Sequence, residues 1–337
     1  MFERLKKSSG SHHGDFHVDA WLTNFSEMYV QDAMHFVSRS CATNVPVNNA
    51  SDIYAEYPRG YFWRDNAKVR PFGGKPAEVS LKVKKKTYSA EEWALAHPID
   101  DRQRANTNAP GDLDENGALL LMQQLMIRRE VDWAESFFAS GIWSADYLGG
   151  TDFTQFDDAN STPIEDVDTY KLEVLRRTGF RVNKIVLGAR VWKKLRSNAD
   201  IADRIKHTGI GVASTATLAE LFDVESVVVA EGVYNIAPEL NPEEDDNLDT
   251  QFIVDENSMW MGHIAPTAAL NTPTAISSFN WTGLIGGANE FGGVIESFRE
   301  DRAYSDYIHG RMAYDLKQVS ADLGVFMKNA VAPDSPN

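Results

Sequence analysis

An α+β fold is predicted for this chain by three features in order: a two-stranded ribbon with a Gly-Gly tip, one long amphipathic helix, and a later unit in which short helices alternate with short buried strands. The ribbon is expected as an extended hairpin from about Arg59 to Ser89. Its tip is Arg70-Pro71-Phe72-Gly73-Gly74-Lys75-Pro76, where glycine takes positive φ cheaply and proline stops strand continuation. On the return strand Val79, Leu81 and Val83 alternate with Ser80, Lys82 and Lys84, so each face receives one side chain in two. An isolated two-stranded ribbon is marginal in water, which means its partner surface comes from elsewhere in an assembly.

The helix is predicted over 112–140. Asp112 and Glu115 stand three apart at its mouth, as in a capping arrangement. Leu121 and Leu125, and Met122 and Met126, sit four apart, and Ile127, Val131, Ala134 and Phe138 continue the apolar stripe. Gln123, Gln124, Arg128, Glu130 and Glu135 are read as its polar remainder. At about 1.5 Å per residue such a helix is on the order of 40 Å long, a spine for the subunit.

Residues 1–57 read as an arm. Helical spacing at Trp21, Phe25, Met28, Tyr29, Asp32 and Phe36 is broken by Asn44, Pro46, Asn48 and Asn49. After a loop at 149–163, Ile164 to Thr178 reads as a helix stopped by Gly179, followed by the buried strand Lys184 to Gly188. Short helices are expected at 191–195, 201–205 and 217–222, and a second buried strand at Ser226 to Ala230. The acidic run 241–247 is an exposed loop, Phe252 to Val254 and Met259 to Met261 return to strand, and 278–319 reads as strands around a glycine loop at 283–293.

Composition narrows the function classes. A hydrophobic content of 43% over 337 residues supports real cores and about two domains. With Lys+Arg 33 against Asp+Glu 49, the net charge of -16 argues against a protein that grips nucleic-acid phosphates. A single cysteine, Cys41, excludes an intrachain disulfide framework and reads as a small buried hydrophobe in a reducing compartment. Charges at Glu3, Arg4, Lys6 and Lys7 are not followed by an apolar stretch, so no export signal and no membrane span are expected.

Catalytic and cofactor motifs fail one by one. Gly209-Ile210-Gly211 reaches Ser214 where a dinucleotide fold needs a third glycine, and the loop Gly286 to Gly292 lacks the Lys-Ser/Thr that closes a phosphate loop. Neither Gly-x-Ser-x-Gly nor His-Glu-x-x-His occurs. His12, His13 and His17 with Asp15 and Asp19 fall in the arm and are read as a mobile group, and Glu243 to Asp249 lacks calcium-loop spacing. No catalytic, cofactor or metal residue is therefore expected. Lys82, Lys84, Lys85 and Lys86 have no interleaved aromatic platform and are assigned, with Phe72, Gly73 and Gly74, to contacts between subunits instead of to nucleic acid. Leu121, Leu125, Ile127, Val131 and Phe138 are assigned to the helix's core face.

Four stretches resemble the major capsid proteins of tailed bacteriophages with the Hong Kong 97-type coat fold. They are Tyr88-Ser89-Ala90-Glu91-Glu92-Trp93 with Ile99-Asp100-Asp101; Ile127-Arg128-Arg129-Glu130-Val131-Asp132-Trp133-Ala134; Thr178 to Gly188; and Ile201 to Lys206 followed by Leu218 to Val224. The resemblance implies an N-terminal arm (1–57), an extended loop (58–95), a peripheral domain (96–180) carrying the spine helix, an axial α/β domain (181–265), and a return to peripheral and C-terminal strands (266–337). It also implies hexamers and pentamers closing into an icosahedral shell around viral double-stranded DNA, with the extended loop of one subunit over the peripheral domain of the next. Scaffolding, portal and decoration proteins are the implied partners beside the chain itself. The implied location is the virion, after assembly in the host cytoplasm. The chain begins almost directly with the arm, which leaves two readings open, scaffolding by a separate protein or a leader removed beforehand. An encapsulin-type nanocompartment shares this fold and is the alternative, and a soluble α/β enzyme is the third reading.

Overall fold

The structure is a computed structural model that describes residues 30–58, 60, 62–106, 113–206, 213–237, 248–269, 272–285 and 293–333. The histidine group at 12–17, Asp112, the glycine pair at 209–211, the acidic run 241–247 and the glycine loop 286–292 lie outside them.

The described chain enters the subunit's core earlier than an arm ending at 57 would. Phe36, Val37 and Cys41 are buried, and β1 (Thr43–Val47) pairs parallel with a later strand, Val45 opposite Phe279. Pro46 misled the sequence reading because β1 is the edge of its sheet, where a strand can do without one N–H.

The ribbon is also displaced from its expected position. Its strands are β2 (Ser51–Glu56) and β3 (Lys84–Ser89), with neither strand nor α-helix through the described residues between them. Val79, Leu81 and Val83 therefore belong to a loop and not to a strand. Pro58, Pro71 and Pro76 remove donors from that stretch, whereas the base is held by the body: Tyr88 stacks on Phe279 at 4.6 Å and Ser89 N donates to Asp315 Oδ2 at 2.8 Å. β4 (Glu91–Asp100) follows directly and leads through α1 (Asp101–Asn106) to α2 (Leu113–Phe137), the long helix.

At 25 residues α2 is about 37 Å long. Its buried line is Leu121, Leu125, Arg129, Trp133 and Phe137, at steps of four. Ile127 and Val131, expected in the core, are half-buried on its flank, and Phe138 is buried just beyond the helix end. Gln123 and Glu130, expected on the polar face, are buried. The helix serves two bodies at once: its first half lies on one sheet, and its second half enters a separate core, so the buried line is wider than one stripe. Arg129 is accommodated because its Nη2 donates to Ser278 Oγ at 3.0 Å and its guanidinium lies 5.1 Å from the Tyr314 ring centre.

The remaining elements are β5 (Asp146–Leu148), α3 (Pro163–Thr178), β6 (Lys184–Gly188), α4 (Ala189–Leu195), α5 (Ala199–Ile205), α6 (Thr215–Leu221), β7 (Ser226–Ala230), β8 (Val233–Asn235), β9 (Thr250–Phe252), β10 (Met259–Gly262), β11 (Ile276–Trp281), α7 (Thr282–Ile285), β12 (Gly293–Glu300), β13 (Ser305–Gln318) and β14 (Gly324–Lys328). One sheet runs β5-β14-β10-β6-β7. Both its faces are covered, which explains its continuous apolar strands. Ile185, Leu187, Met259, Met261, Val325 and Met327 face α3 and its neighbours, while the alternate residues Val186, Trp260 and Phe326 join Trp133 and Phe137 on the opposite side. α3 ends at Gly179, whose φ of 73° and N–H to Leu175 O (2.7 Å) form a left-handed cap. α3 and β5 precede the expected boundary at 181, and β14 follows that at 265, yet all three belong to this layer.

The other sheet runs β1-β11-β13-β12, with β4 along the first part of β13. α2 lies across one face of it so closely that a Cβ at Gly310 would come within 2.9 Å of Leu125 Cδ1. Leu121, Ile99 and Ile308 form one small core there, and Leu125, Met312 and Tyr314 another.

Candidate assembly surface

Two anchored strands leave the body and return, and nearly everything between them is exposed. Along the loop 57–83, Phe62, Trp63, Val69, Phe72, Val79, Leu81 and Val83 are all large, apolar and exposed, Phe72 completely so. The tip is a tight turn in which Gly73 has φ 72° and Gly74 N donates to Pro71 O at 2.9 Å, braced by Arg70 Nε donating to Gly74 O at 2.6 Å. Of the loop's aromatics, Trp63 touches its own subunit, lying where a Cβ on Gly179 would meet it at 3.0 Å. Apolar side chains are worth roughly 1.5–3 kcal/mol each when buried. Seven such side chains stand exposed along this loop, Trp63 in part covered by its own subunit.

The four lysines do not act as one group. Lys86 Nζ meets Glu56 at 3.2 Å and Val319 O at 3.4 Å, both in its own subunit. Lys82, Lys84 and Lys85 are exposed and have no ion pair among the described residues. Phe72, Gly73 and Gly74 lie at the tip, away from the strand that carries Lys84, Lys85 and Lys86.

An aromatic patch lies on the face of β4, β13 and β12 turned away from α2. The pairing sets Pro98, Tyr307 and Phe298 in one row and Ala96, His309 and Glu296 in the next. Phe298 and Tyr307 stack at 5.5 Å, and Phe298 meets His309 edge-on at 6.2 Å. Arg311 borders the patch, bonded to Glu92 at 3.4 Å and to Glu296 at 3.3 Å.

In the second half of α2 a buried carboxylate fixes the entry of the chain. Glu130 Oε1 accepts Val37 N and Oε2 accepts Ser38 N, both at 2.8 Å. Burial raises its pKa above the ordinary carboxylate value, and the N–H bonds from Ser38 and Val37 and the charge of Arg129 oppose that rise. Cys41, in the same cluster, is pushed up to about 11 by burial, so its thiol stays protonated at neutral pH and is no nucleophile. Sequence reasoning missed Glu130 and Arg129 as buried groups, although both lie in the stretch from Ile127 to Ala134 that resembles phage coat proteins. A cleft of about 670 Å³ at Gly150 to Asp158 holds three aspartates. All are engaged with backbone: Asp152 accepts Leu148 N, Asp157 accepts Ala332 N and Asp158 accepts Asn160 N.

No protein-family profile matches the chain. It is 26% identical over 147 residues to the major capsid protein of Burkholderia phage BcepMu, covering 43% of this chain and 47% of that protein. It is 27% identical over 237 residues to the major capsid protein of Pseudomonas phage JBD67, covering 67% of this chain and 73% of that one. The chain is a relative of phage major capsid proteins. It thus spans about half the length of the first of these coat proteins and nearly three quarters of the second. In structure it is similar to a phage-related protein from Bordetella bronchiseptica (TM-score 0.66, 16% identity, 90% of this chain and 95% of that one). It is also similar to the mature capsid of bacteriophage PhiM1 (TM-score 0.55, 14% identity, 96% and 93%) and to the SrpI encapsulin of Synechococcus elongatus (TM-score 0.54, 9% identity, 93% and 95%). The mixed α/β fold is that of capsid shell proteins.

Proposed function

We propose that this chain is the structural major capsid protein of a tailed phage, assembling with copies of itself into hexamers and pentamers that close as an icosahedral head shell around double-stranded DNA. The observation that carries this is the loop 57–83, whose exposed apolar side chains contribute little to their own subunit. In this reading the loop is the extended loop, and it covers the Pro98, Tyr307 and Phe298 row of the next subunit. Residues before about 36 are the arm, α2 with the β13 sheet is the peripheral unit, and the β6 sheet with α3 to α6 is the axial unit. Repeated heterologous contacts of this kind close when the rotation between copies closes. The net charge of -16 suits a wall that holds DNA without binding it. The shell is a virion component assembled in the host cytoplasm, with scaffolding, portal and decoration proteins as further partners, and it performs no catalysis.

The encapsulin reading has one specific support, since the SrpI shell matches the fold nearly as well as the PhiM1 capsid does. The sequence relatives, both phage coat proteins, favour the phage reading. Electron microscopy of the expressed chain tests the shell: closed particles are expected, and a discrete small oligomer at all concentrations overturns it. Particle contents from infected cells separate the two shells, nuclease-protected DNA against enclosed enzyme.

A further inference from the structure

The loop between β2 and β3 is fastened to both layers of its own subunit. Its base stands on the β1-β11-β13 sheet, where Tyr88 stacks on Phe279, Ser89 N donates to Asp315 Oδ2 and Lys86 Nζ reaches Val319 O. Trp63 goes to the other layer. Its indole lies on Gly179 at the end of α3, so that a Cβ on that glycine would be 3.0 Å from Cζ2 and 3.5 Å from Cη2. Trp63 is 51% exposed, against 97% for Val69 and 111% for Phe72 further out. About half of a large aromatic surface is therefore covered before any second copy arrives. Tyr57 and Phe62 add an edge-on ring pair at 6.4 Å just before it, while Val69, Phe72, Val79, Leu81 and Val83 stand exposed beyond it.

Gly179 meets two demands at once. With φ 73° and its N–H on Leu175 O, it closes α3 in the left-handed conformation that side chains rarely adopt, and its missing Cβ leaves the space that the indole occupies. Asparagine can meet the first demand, since it also ends helices in that conformation. Only glycine meets the second.

We propose that Trp63 is a positioning residue for assembly: seated on Gly179 of its own subunit, it braces the start of the loop against the α3 and β6 layer and so aims the free part, 64–83, at a second copy. The physical reason is the cost of ordering. A loop held only at its two strands loses all its freedom on docking, whereas one held at Trp63 has already lost part of it in the free subunit, and the shorter free span searches a smaller volume. Base and brace stand on different layers, so the direction of the loop is set by the body of the subunit instead of by the ribbon alone. The inference rests on the shell reading and adds to it the residue that orients the loop.

Trp63→Ala, Trp63→Phe and Gly179→Asn test it. Asparagine keeps the cap but puts a Cβ and an amide where the indole sits, which unseats Trp63 from the other side. Loop order is read in the unassembled subunit from a nitroxide on Lys68→Cys, an exposed position, with Cys41 too buried to be labelled. The spectrum is expected to narrow in Trp63→Ala and in Gly179→Asn and to return toward the parent's in Trp63→Phe, with subunit melting unchanged throughout. Without the label, shell yield at fixed concentration is expected to fall about tenfold in the first two and to recover in the third. Trp63→Ala combined with Gly179→Asn should lose no more than Trp63→Ala alone, because both break one contact. An unchanged spectrum in Trp63→Ala, a narrowed one with parent-like shell yield, or additive losses in the combined chain overturn the brace. Should Gly179→Asn misfold, the two Trp63 variants decide. Absence of shells from the parent chain would strike the shell reading, and the spectra would still decide whether Trp63 holds the loop.

Discussion

Glu130→Ala removes both acceptors that hold the entering chain to the long helix. Val37 N and Ser38 N, each bonded at 2.8 Å, are left buried without partners, because Val37 is fully buried and Ser38 nearly so. An orphaned buried N–H costs about 1–3 kcal/mol, so the pair costs roughly 2–6 kcal/mol. Relief of the buried carboxylate's desolvation offsets part of this, and the loss of Arg129's neighbouring charge restores some of it, for a net of about 2–4 kcal/mol. The loss is local at first: residues 36–41 detach while the β6 sheet keeps its own core. Urea unfolding of the unassembled subunit should show the lower stability, and hydrogen exchange should show Val37 and Ser38 amides losing protection before the strands do. Parent-like unfolding with unchanged exchange at those two amides would refute the clamp.

The pH dependence of that clamp has a definite sign. Glu130's pKa is raised in the folded state, so its contribution is fully present below the unfolded carboxyl value and is lost as pH rises through the folded one; the stability difference between parent and Glu130→Gln should therefore shrink as pH increases across that window, and a growing difference would show that the N–H bonds outweigh burial. Leu125→Asp should prevent folding, since a carboxylate beside Met312 and Tyr314 costs several kcal/mol, and parent-like circular dichroism and melting would contradict the helix face described. Replacing 68–80 by a short Gly-Ser turn should leave a folded subunit, because Tyr88 and Ser89 still anchor the ribbon, while closed shells become rare or fragile; shells of normal yield and heat resistance would refute the loop's role between subunits. Lys84→Glu should do much less, since one exposed ion pair is worth about 0–1 kcal/mol, and an equally large loss of shells would mean that charge, not apolar area, drives the contact.

The sequence by itself determined what depends on short-range pattern. The long helix, the α3 helix with its Gly179 stop, and the buried strands β6, β7 and β10 all follow from local periodicity and one left-handed glycine, and so did the order of features that resembles a phage coat protein. The exposed tip at Phe72-Gly73-Gly74 was legible for the same reason, because its glycines and prolines state their own geometry. Tertiary structure alone decided which partners those elements met. Alternation within 79–83 matches a strand, but a strand needs a neighbour, and β3 finds one only from Lys84 onward, where β2 lies opposite. Glu130 and Arg129 look like solvated charges on a helix, yet a second core and the segment 36–41 close over them, and charge in a sequence carries no mark of what will later be packed on top of it. Pro46 breaks a helix in any local reading; that it sits in an edge strand beside β11, joined across more than two hundred residues, is a long-range contact that no neighbouring residue encodes.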